Sequence, residues 1–225
     1  MTPIRTEAIV LRRTNYGEAD RILQLLTPEH GKLSVIAKGV RREKSKLAGG
    51  VELLAVSDLV VQKGKGELGI LTSARLRTFF VHILDDYTKL QLAYEILKKV
   101  NTASEMVPEP EWYYLAKEAL AALDNPQIGA DLVELWYRLQ HSSLLGHGLN
   151  LKSDSNGQKL NSAERYVYDV QEMGLRVATG GDITANHIKL LRLLTANTPE
   201  RVALVSGIAE LLPAALRSLR QHDQG

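Results

Sequence analysis

The chain has 225 residues, 44% hydrophobic and 24% charged, enough apolar material for one large core or two modest ones and unlike the make-up of a disordered chain. It has no cysteine, which excludes disulfides, thiolate metal sites and cysteine nucleophiles; no apolar run approaches the roughly 20 residues of a membrane-spanning helix, and no export signal is apparent, so the cytoplasm is the simplest compartment. The net charge of +2 hides an asymmetry: residues 1–80 carry 14 Lys and Arg against 8 Asp and Glu, net +6, while residues 81–225 carry 14 against 18, net −4. A basic front third suits contact with a polyanion, although an uneven solvated surface gives the same count.

In chain order, the first 80 residues read as short strands. Residues 6–13 are β-rich and Asn15-Tyr16-Gly17-Glu18 marks a turn. Residues 21–27 follow, then a second turn at Pro28-Glu29-His30-Gly31, then residues 32–37 with Leu33, Val35 and Ala37 on one face. Residues 51–62 form a long candidate strand, Lys63-Gly64-Lys65-Gly66 a tight turn, and residues 67–77 its partner. Five strands with no helix between them predict a small barrel of the oligonucleotide-binding (OB) type.

From Asp85 the period becomes helical. Leu90, Ala93, Tyr94, Leu97 and Val100 share one helix face, with Asp85 or Asp86 as its cap, and residues 101–110 read as a loop. Trp112, Leu115, Ala116, Ala119, Leu120 and Leu123 predict a second helix, and Leu132, Leu135, Trp136 and Leu139 a third. Residues 146–160, rich in Gly, Asn and Ser, carry no period. Thr184 is placed to cap a helix through Ile188, Leu191 and Leu194. Thr198-Pro199-Glu200 opens a last helix through Val202, Val205, Ile208 and Leu212, kinked at Pro213. The fold class expected is α+β: a five-stranded OB barrel over residues 1–80, then an all-α helical domain over 81–225, the two packed together because no Gly-, Ser- or Pro-rich linker divides them.

Little here recommends catalysis. Gly64-Lys65-Gly66-Glu67-Leu68-Gly69 matches G-x-G-x-x-G, but the residues after it read as strand, and a dinucleotide site needs a helix to open there. His30, His82, His141, His147, His187 and His222 form no H-E-x-x-H and no spaced pair with a carboxylate suited to a metal. Nucleophile elbow and phosphate-loop motifs are absent. No catalytic residue, cofactor or metal ligand is expected.

The densest feature lies between the third and fourth strands. Lys38, Arg41, Arg42, Lys44 and Lys46 place five cations against one acid, Glu43, within nine residues. Such a glycine-bounded loop can follow a phosphate backbone, its cations displacing condensed counterions; the bland alternative is a solvated charge run. Arg12, Arg13, Lys63 and Lys65 offer a second rim. Only Tyr16, Phe79 and Phe80 are candidates for base stacking in this part, which points to backbone-dominated, sequence-tolerant binding.

Four ordered segments then carry a resemblance: Glu7-Ala-Ile-Val-Leu-Arg-Arg, Asn15-Tyr-Gly-Glu-Ala-Asp-Arg-Ile-Leu, Thr27-Pro-Glu-His-Gly-Lys-Leu and Ala37-Lys-Gly-Val-Arg-Arg. Together with Lys44-Ser-Lys-Leu-Ala-Gly and Gly64-Lys-Gly-Glu-Leu, they resemble the N-terminal domain of the RecO recombination mediators. The rest of the chain resembles that family more loosely, through helix order and Leu144-Leu-Gly-His-Gly-Leu-Asn-Leu. The resemblance implies an OB barrel before a helical domain, binding of single- and double-stranded DNA, and annealing of complementary strands. It also implies partnership with RecR, and with the acidic C-terminal tail of single-strand-binding protein, in loading RecA. By residue match it puts Lys38, Arg41 and Arg42 first among the DNA contacts. Capture of the acidic, Phe-ending tail needs an apolar pocket rimmed by cations; Arg138, Lys189, Arg192, Arg217 and Arg220 lie near apolar helix faces, where ordinary solvated helix charge is their plainer reading. Many members carry a four-cysteine zinc module after Leu-Gly-x-x-x-Asn-Leu, where this chain has Lys152-Ser-Asp-Ser-Asn-Gly-Gln-Lys-Leu, so local order must have another source. The alternatives are an OB adaptor that binds only protein and an RNA-binding OB protein.

Overall fold

A computed structural model describes residues 2–64, 66 and 68–222. Packing groups Met1–Asn125 into one compact unit and Pro126–Gly225 into another.

In the first unit, β1 (Ile4–Tyr16), β2 (Asp20–Thr27), β3 (Gly31–Ala37), β4 (Ala55–Gln62) and β5 (Gly69–Phe79) close a barrel in the order β1-β2-β3-β5-β4. Only β3 and β5 pair in parallel; all other pairs are antiparallel. Period-two alternation turns Ala8, Val10, Leu23, Leu25, Val35, Ala37, Leu59, Val61 and Leu71 inward as one apolar cluster. The turn expected at Asn15 begins later, because β1 runs on to pair Tyr16 with Asp20. β4 and β5, on either side of the G-x-G-x-x-G segment, pair antiparallel, and β5 begins at its last glycine; Lys65 and Glu67 within it lie outside the described residues.

The long connection from β3 to β4 folds back into the barrel. Val40 and Val51 are buried in the barrel cluster, and Leu47 and Leu53 pack against it. A short 3-10 turn, Ala48–Gly50, lies against β5 so closely that a Cβ on Gly50 would stand 2.6 Å from Ala74, leaving room only for glycine.

Two helices complete this unit. Asp86 caps α1 (Tyr87–Met106), accepting from the backbone N–H of Thr88 at 2.8 Å and Lys89 at 3.1 Å, as the sequence predicts. The face of α1 is rotated from the expected one: Leu92, Ala93, Ile96, Leu97 and Val100 are buried, while Tyr94 is 45% exposed. The helix also continues through residues 101–106, expected as loop. Next, α2 (Glu111–Asp124) buries Trp112, Tyr113, Leu115, Ala116, Ala119 and Leu120. Lys32 on β3 donates from Nζ to the Asn101 carbonyl on α1 at 2.9 Å, fastening helix to barrel.

The second unit holds α3 (Ala130–Leu144), a hairpin of β6 (Tyr166–Asp169) and β7 (Gly174–Val177), α4 (Ala185–Ala196), α5 (Pro199–Ala203) and α6 (Leu212–His222). The four-residue strands are too short to declare a period, and the sequence reading missed them. Thr184 opens α4 through a capping box whose third residue is His187. The predicted last helix is two. The chain leaves α5 after Ala203, Gly207 adopts φ +78, and Pro213 falls in the first turn of α6, where its missing N–H costs nothing.

A candidate nucleic-acid interface at one end of the barrel

Register decides what lies near the basic loop. Ala37, the last residue of β3, pairs with Arg21, and Tyr16 pairs with Asp20, so the β1–β2 turn and the start of the loop share one barrel end. Ile36 pairs with Ile70, which pairs with Gln62. Because β4 runs antiparallel to β3, Lys63 lies one residue further from the loop than that row, and it is exposed. Lys65 lies outside the described residues.

Within the loop, Lys38, Arg41, Arg42, Lys44 and Lys46 are all exposed, while Val40 in their midst is 3% exposed. A buried anchor between exposed cations fixes which way they point. Backbone bonds hold the rest: Gly39 N–H donates to Asp20 Oδ1 at 2.7 Å, Arg41 N–H to the Ala19 carbonyl at 2.9 Å, Arg42 N–H to Gly39 at 3.1 Å and Ser45 N–H to Arg42 at 3.0 Å. Gly39 sits at φ +63, a left-handed conformation that favours glycine, with the Arg42 side chain beside it. Among the described residues, Arg41 alone of the five cations has a side-chain bond, a long one of 3.4 Å from Nη1 to the Gly17 carbonyl. The cations are thus presented by the backbone and left available to a ligand. Among the described residues the acids at this end are Asp20, which holds Gly39, and Glu18 and Glu43, both exposed.

The other basic candidates divide. Arg12 is exposed on the outer face of β1, in a row with Gln24 and Ser34. Arg13 pairs with Glu52 at 2.6 Å, so its charge is already matched. Sequence reasoning missed Asp20 and Arg21: an acid looks out of place in a basic patch until pairing shows that its side chain holds Gly39. The signal lay in Asp20 closing the Asn15–Asp20 turn segment, but its partner Gly39 lies nineteen residues on.

A second cleft, about 680 Å³, opens between the β1-β4-β5 face and α2. Two of its four cations, Arg77 and Lys117, are matched within it, while Arg5 and Arg75 are exposed. Glu7 accepts from Arg77 at 2.7 Å, from Lys117 at 2.6 Å and from the Tyr113 hydroxyl, and Arg77 also bonds Asp58 at 2.9 Å. Burial pushes the Glu7 carboxyl up, but the bonds from Lys117, Tyr113 and Arg77 hold it below the usual range. This cleft reads as a structural clasp between β1 and α2.

The family model described as "Recombination protein O N terminal" matches residues 1–80, and "Recombination protein O C terminal" matches residues 84–223. The chain belongs to the RecO family. Relatives include the DNA repair protein RecO of Dehalococcoides mccartyi strain 195, 31% identical over 204 residues, covering 86% of this chain and 78% of the relative. The same-named protein of strain CBDB1 is 30% identical over 228 aligned residues, covering 97% of this chain and 88% of the relative.

In this RecO-family chain the segment expected to need a substitute for zinc cysteines is ordered by side-chain caps. Asn150 Oδ1 accepts from Lys152 N–H at 2.9 Å and Ser153 N–H at 3.2 Å; Asp154, 7% exposed, accepts from Asn156 at 2.9 Å and Gln158 at 2.8 Å. Arg192 donates to the Leu151 carbonyl at 2.5 and 3.1 Å, and Ser155 N–H joins the segment to β7 through Leu175 at 2.8 Å. Asp154 Oδ1 is spent on backbone donors, and among the described residues no group of three His, Asp or Glu side chains could hold a metal. These residues do not fit a zinc site.

Of the tail-binding candidates, Arg138 is buried against Glu134 at 2.8 Å, and Arg220 grips the same carboxylate at 2.7 and 3.0 Å. Arg217 pairs with Asp182 at 3.0 Å, and Arg192 holds Leu151. Lys189 is exposed beside Ile188 at a small pocket, about 90 Å³, walled by Leu160, Asn161 and Ser162. Among the described residues no helix is long and apolar enough to cross a membrane.

Proposed function

We propose that this chain is a cytoplasmic recombination mediator without catalytic activity. It binds single- and double-stranded DNA, anneals complementary strands and, with RecR, helps load RecA onto DNA coated with single-strand-binding protein. The observation that carries the reading is the exposed, backbone-anchored run of Lys38, Arg41, Arg42, Lys44 and Lys46 at the end of an OB-type barrel. Cations held in place by the main chain neutralise phosphates at little ordering cost, and they read charge rather than sequence, as annealing any complementary pair requires. The DNA repair function of the named relatives supports the same reading. Lys189, at the rim of the pocket against α4, is the cation we assign to the acidic tail of single-strand-binding protein, with Ile188 as the apolar floor for its terminal Phe.

The test is annealing of complementary oligonucleotides coated with single-strand-binding protein, with and without this chain, repeated with coating protein that lacks its tail. Faster annealing that depends on the tail supports both assignments. Faster annealing that ignores the tail removes the Lys189 assignment. No acceleration, with no DNA binding, removes the mediator reading in favour of a protein-only adaptor; tighter binding to RNA of equal sequence favours an RNA-binding OB protein.

A further inference from the structure

The barrel is poor in aromatics that could stack on bases, but α1 supplies one. A pocket of about 420 Å³ lies between the outer face of β1 and α1, lined by Leu11, Arg12, Tyr94, Leu97, Lys98 and Thr102 among others. The volume lies within the range of small-molecule sites. Its charged lining is cationic only. Arg12 and Lys98 are exposed, and neither has a side-chain partner among the described residues, whereas neighbouring Lys99 pairs with Glu95 at 3.2 Å. The Tyr94 ring is 45% exposed although its place in the helix period predicts burial, and Leu11 and Leu97, both buried, form an apolar wall.

The pocket also lies on a continuous path from the basic loop. Along the outer face of β1–β2–β3, the row of Tyr16 and Asp20 is followed by Thr14–Ile22–Ile36 and then by Arg12–Gln24–Ser34. Four residues of strand separate Tyr16 from Arg12, about 13 Å at roughly 3.3 Å per residue. That distance falls inside the footprint of a single strand on one OB barrel, about 4–16 nucleotides. We propose that this pocket takes up one unstacked nucleotide of single-stranded DNA, its base on the Tyr94 ring and its flanking phosphates on Arg12 and Lys98. Duplex DNA keeps its bases paired and stacked and offers no free face to Tyr94, so the pocket distinguishes single strands from duplex where the basic loop does not. The inference rests on the DNA-binding reading above.

The test uses the full chain and a fluorescein-labelled oligothymidylate, read by anisotropy, with a duplex of equal length as reference. Tyr94→Ala should weaken single-strand binding about 5- to 20-fold, toward the lower end of the range for loss of one base–aromatic stack, and leave duplex binding unchanged. Tyr94→Trp should bind as the parent does or tighter. An oligomer abasic at every position should bind the parent weakly and lose nothing further with Tyr94→Ala. Lys98→Ala should lower the salt slope on single strands by about 0.7. Unchanged single-strand affinity in Tyr94→Ala, an equal loss on duplex, or a further loss on the abasic oligomer each overturns the pocket. Failure of the parent chain to bind any DNA instead overturns the reading beneath it.

Discussion

Asp20 separates two accounts of how the basic loop works. Its Oδ1 accepts from Gly39 N–H at 2.7 Å, at the base of the loop carrying Lys38, Arg41 and Arg42. If net charge alone governed binding, Asp20→Ala would tighten it: removing one anion about 10 Å from a phosphate gains about 0.4 kcal/mol in water, less after screening, and so at most about twofold. If presentation governs, the same change weakens binding. A hydrogen bond to a charged acceptor contributes about 1.5–3 kcal/mol, and its partial exposure here brings that nearer 1 kcal/mol. A loosened loop must also be ordered again on binding, at about 1–2 kcal/mol per residue fixed. The expected result is a loss of about 5- to 10-fold in affinity, with Asp20→Asn, which keeps the acceptor, close to the parent. The comparison is the triple change of Lys38, Arg41 and Arg42 to Ala, which leaves every backbone bond of the loop in place. It should lower the salt slope by about 2 on single strands and about 2.7 on duplex, at 0.7 and 0.9 per contact, with stability changed by no more than about 0.5 kcal/mol. Fluorescence anisotropy titrations across a salt series read both effects. Equal or tighter binding by a folded Asp20→Ala would refute the anchoring argument, and an unchanged slope in the triple variant would remove the loop as the DNA contact.

Two further predictions concern the second unit. Burial pushes the Glu134 carboxyl up, but hydrogen bonds from Arg220 and Arg138 outweigh it and hold it below its ordinary value of 4.5. A depressed folded value means that the stability it contributes is present above pH 4.5 and is lost as the pH falls through that folded value. Glu134→Gln should cost about 2–3 kcal/mol in urea melts at neutral pH, less than a fully buried pair because Arg220 is half exposed, and should blunt the acid loss; a cost under about 0.5 kcal/mol would show that the clasp of α3 to α6 is ornamental. For the segment after α3, Asp154→Ala should cost about 1–3 kcal/mol by stranding the N–H groups of Asn156 and Gln158, while chelator leaves the melting temperature of the parent unchanged; a chelator-induced drop would mean that a metal site exists there after all.

What could be read in advance follows from the range over which each signal acts. Period-two alternation and Gly-rich turns are local, so five strands, their order in the chain and a small barrel were legible; that the parallel pair β3–β5 closes it was not, because that pairing joins residues 34 apart and leaves no local mark. The change of period after residue 80 was legible as well. The packing that gathers α1 and α2 with the barrel rests on contacts such as Lys32 to Asn101 and Tyr113 to Glu7, between residues 69 and 106 apart, which periodicity does not report. The last helix failed for a different reason. Its apolar spacing was sustained through Leu212, but α5 stops at Ala203 and the chain turns through Gly207 in the left-handed region before α6, and a glycine's choice of φ is set by surroundings the sequence does not display.

The candidate site shows the same division. Lys38, Arg41, Arg42, Lys44 and Lys46 were legible as a charge run, yet a charge run is equally what a solvated loop looks like. What moves them toward function is Val40, buried between them, and Asp20, which holds Gly39 from the neighbouring turn. Arg13 looked equivalent to Arg12 by position, and pairing with Glu52 separates them. In the second unit Arg138 and Arg220 looked like exposed helix charge and are instead the two hands on Glu134, a role fixed by the 86 residues between Glu134 and Arg220 rather than by either residue's neighbours. Tyr94 reverses the case. It fits the apolar period of α1 well enough to be assigned to the core, and only the rotation of that helix on the barrel leaves its ring in solvent beside Arg12. A residue that obeys a packing pattern and yet stays exposed has given up burial of an aromatic ring. Its position beside two cations that have no side-chain partner among the described residues, on the strand path from the basic loop, is the physical reason for assigning that ring to a base.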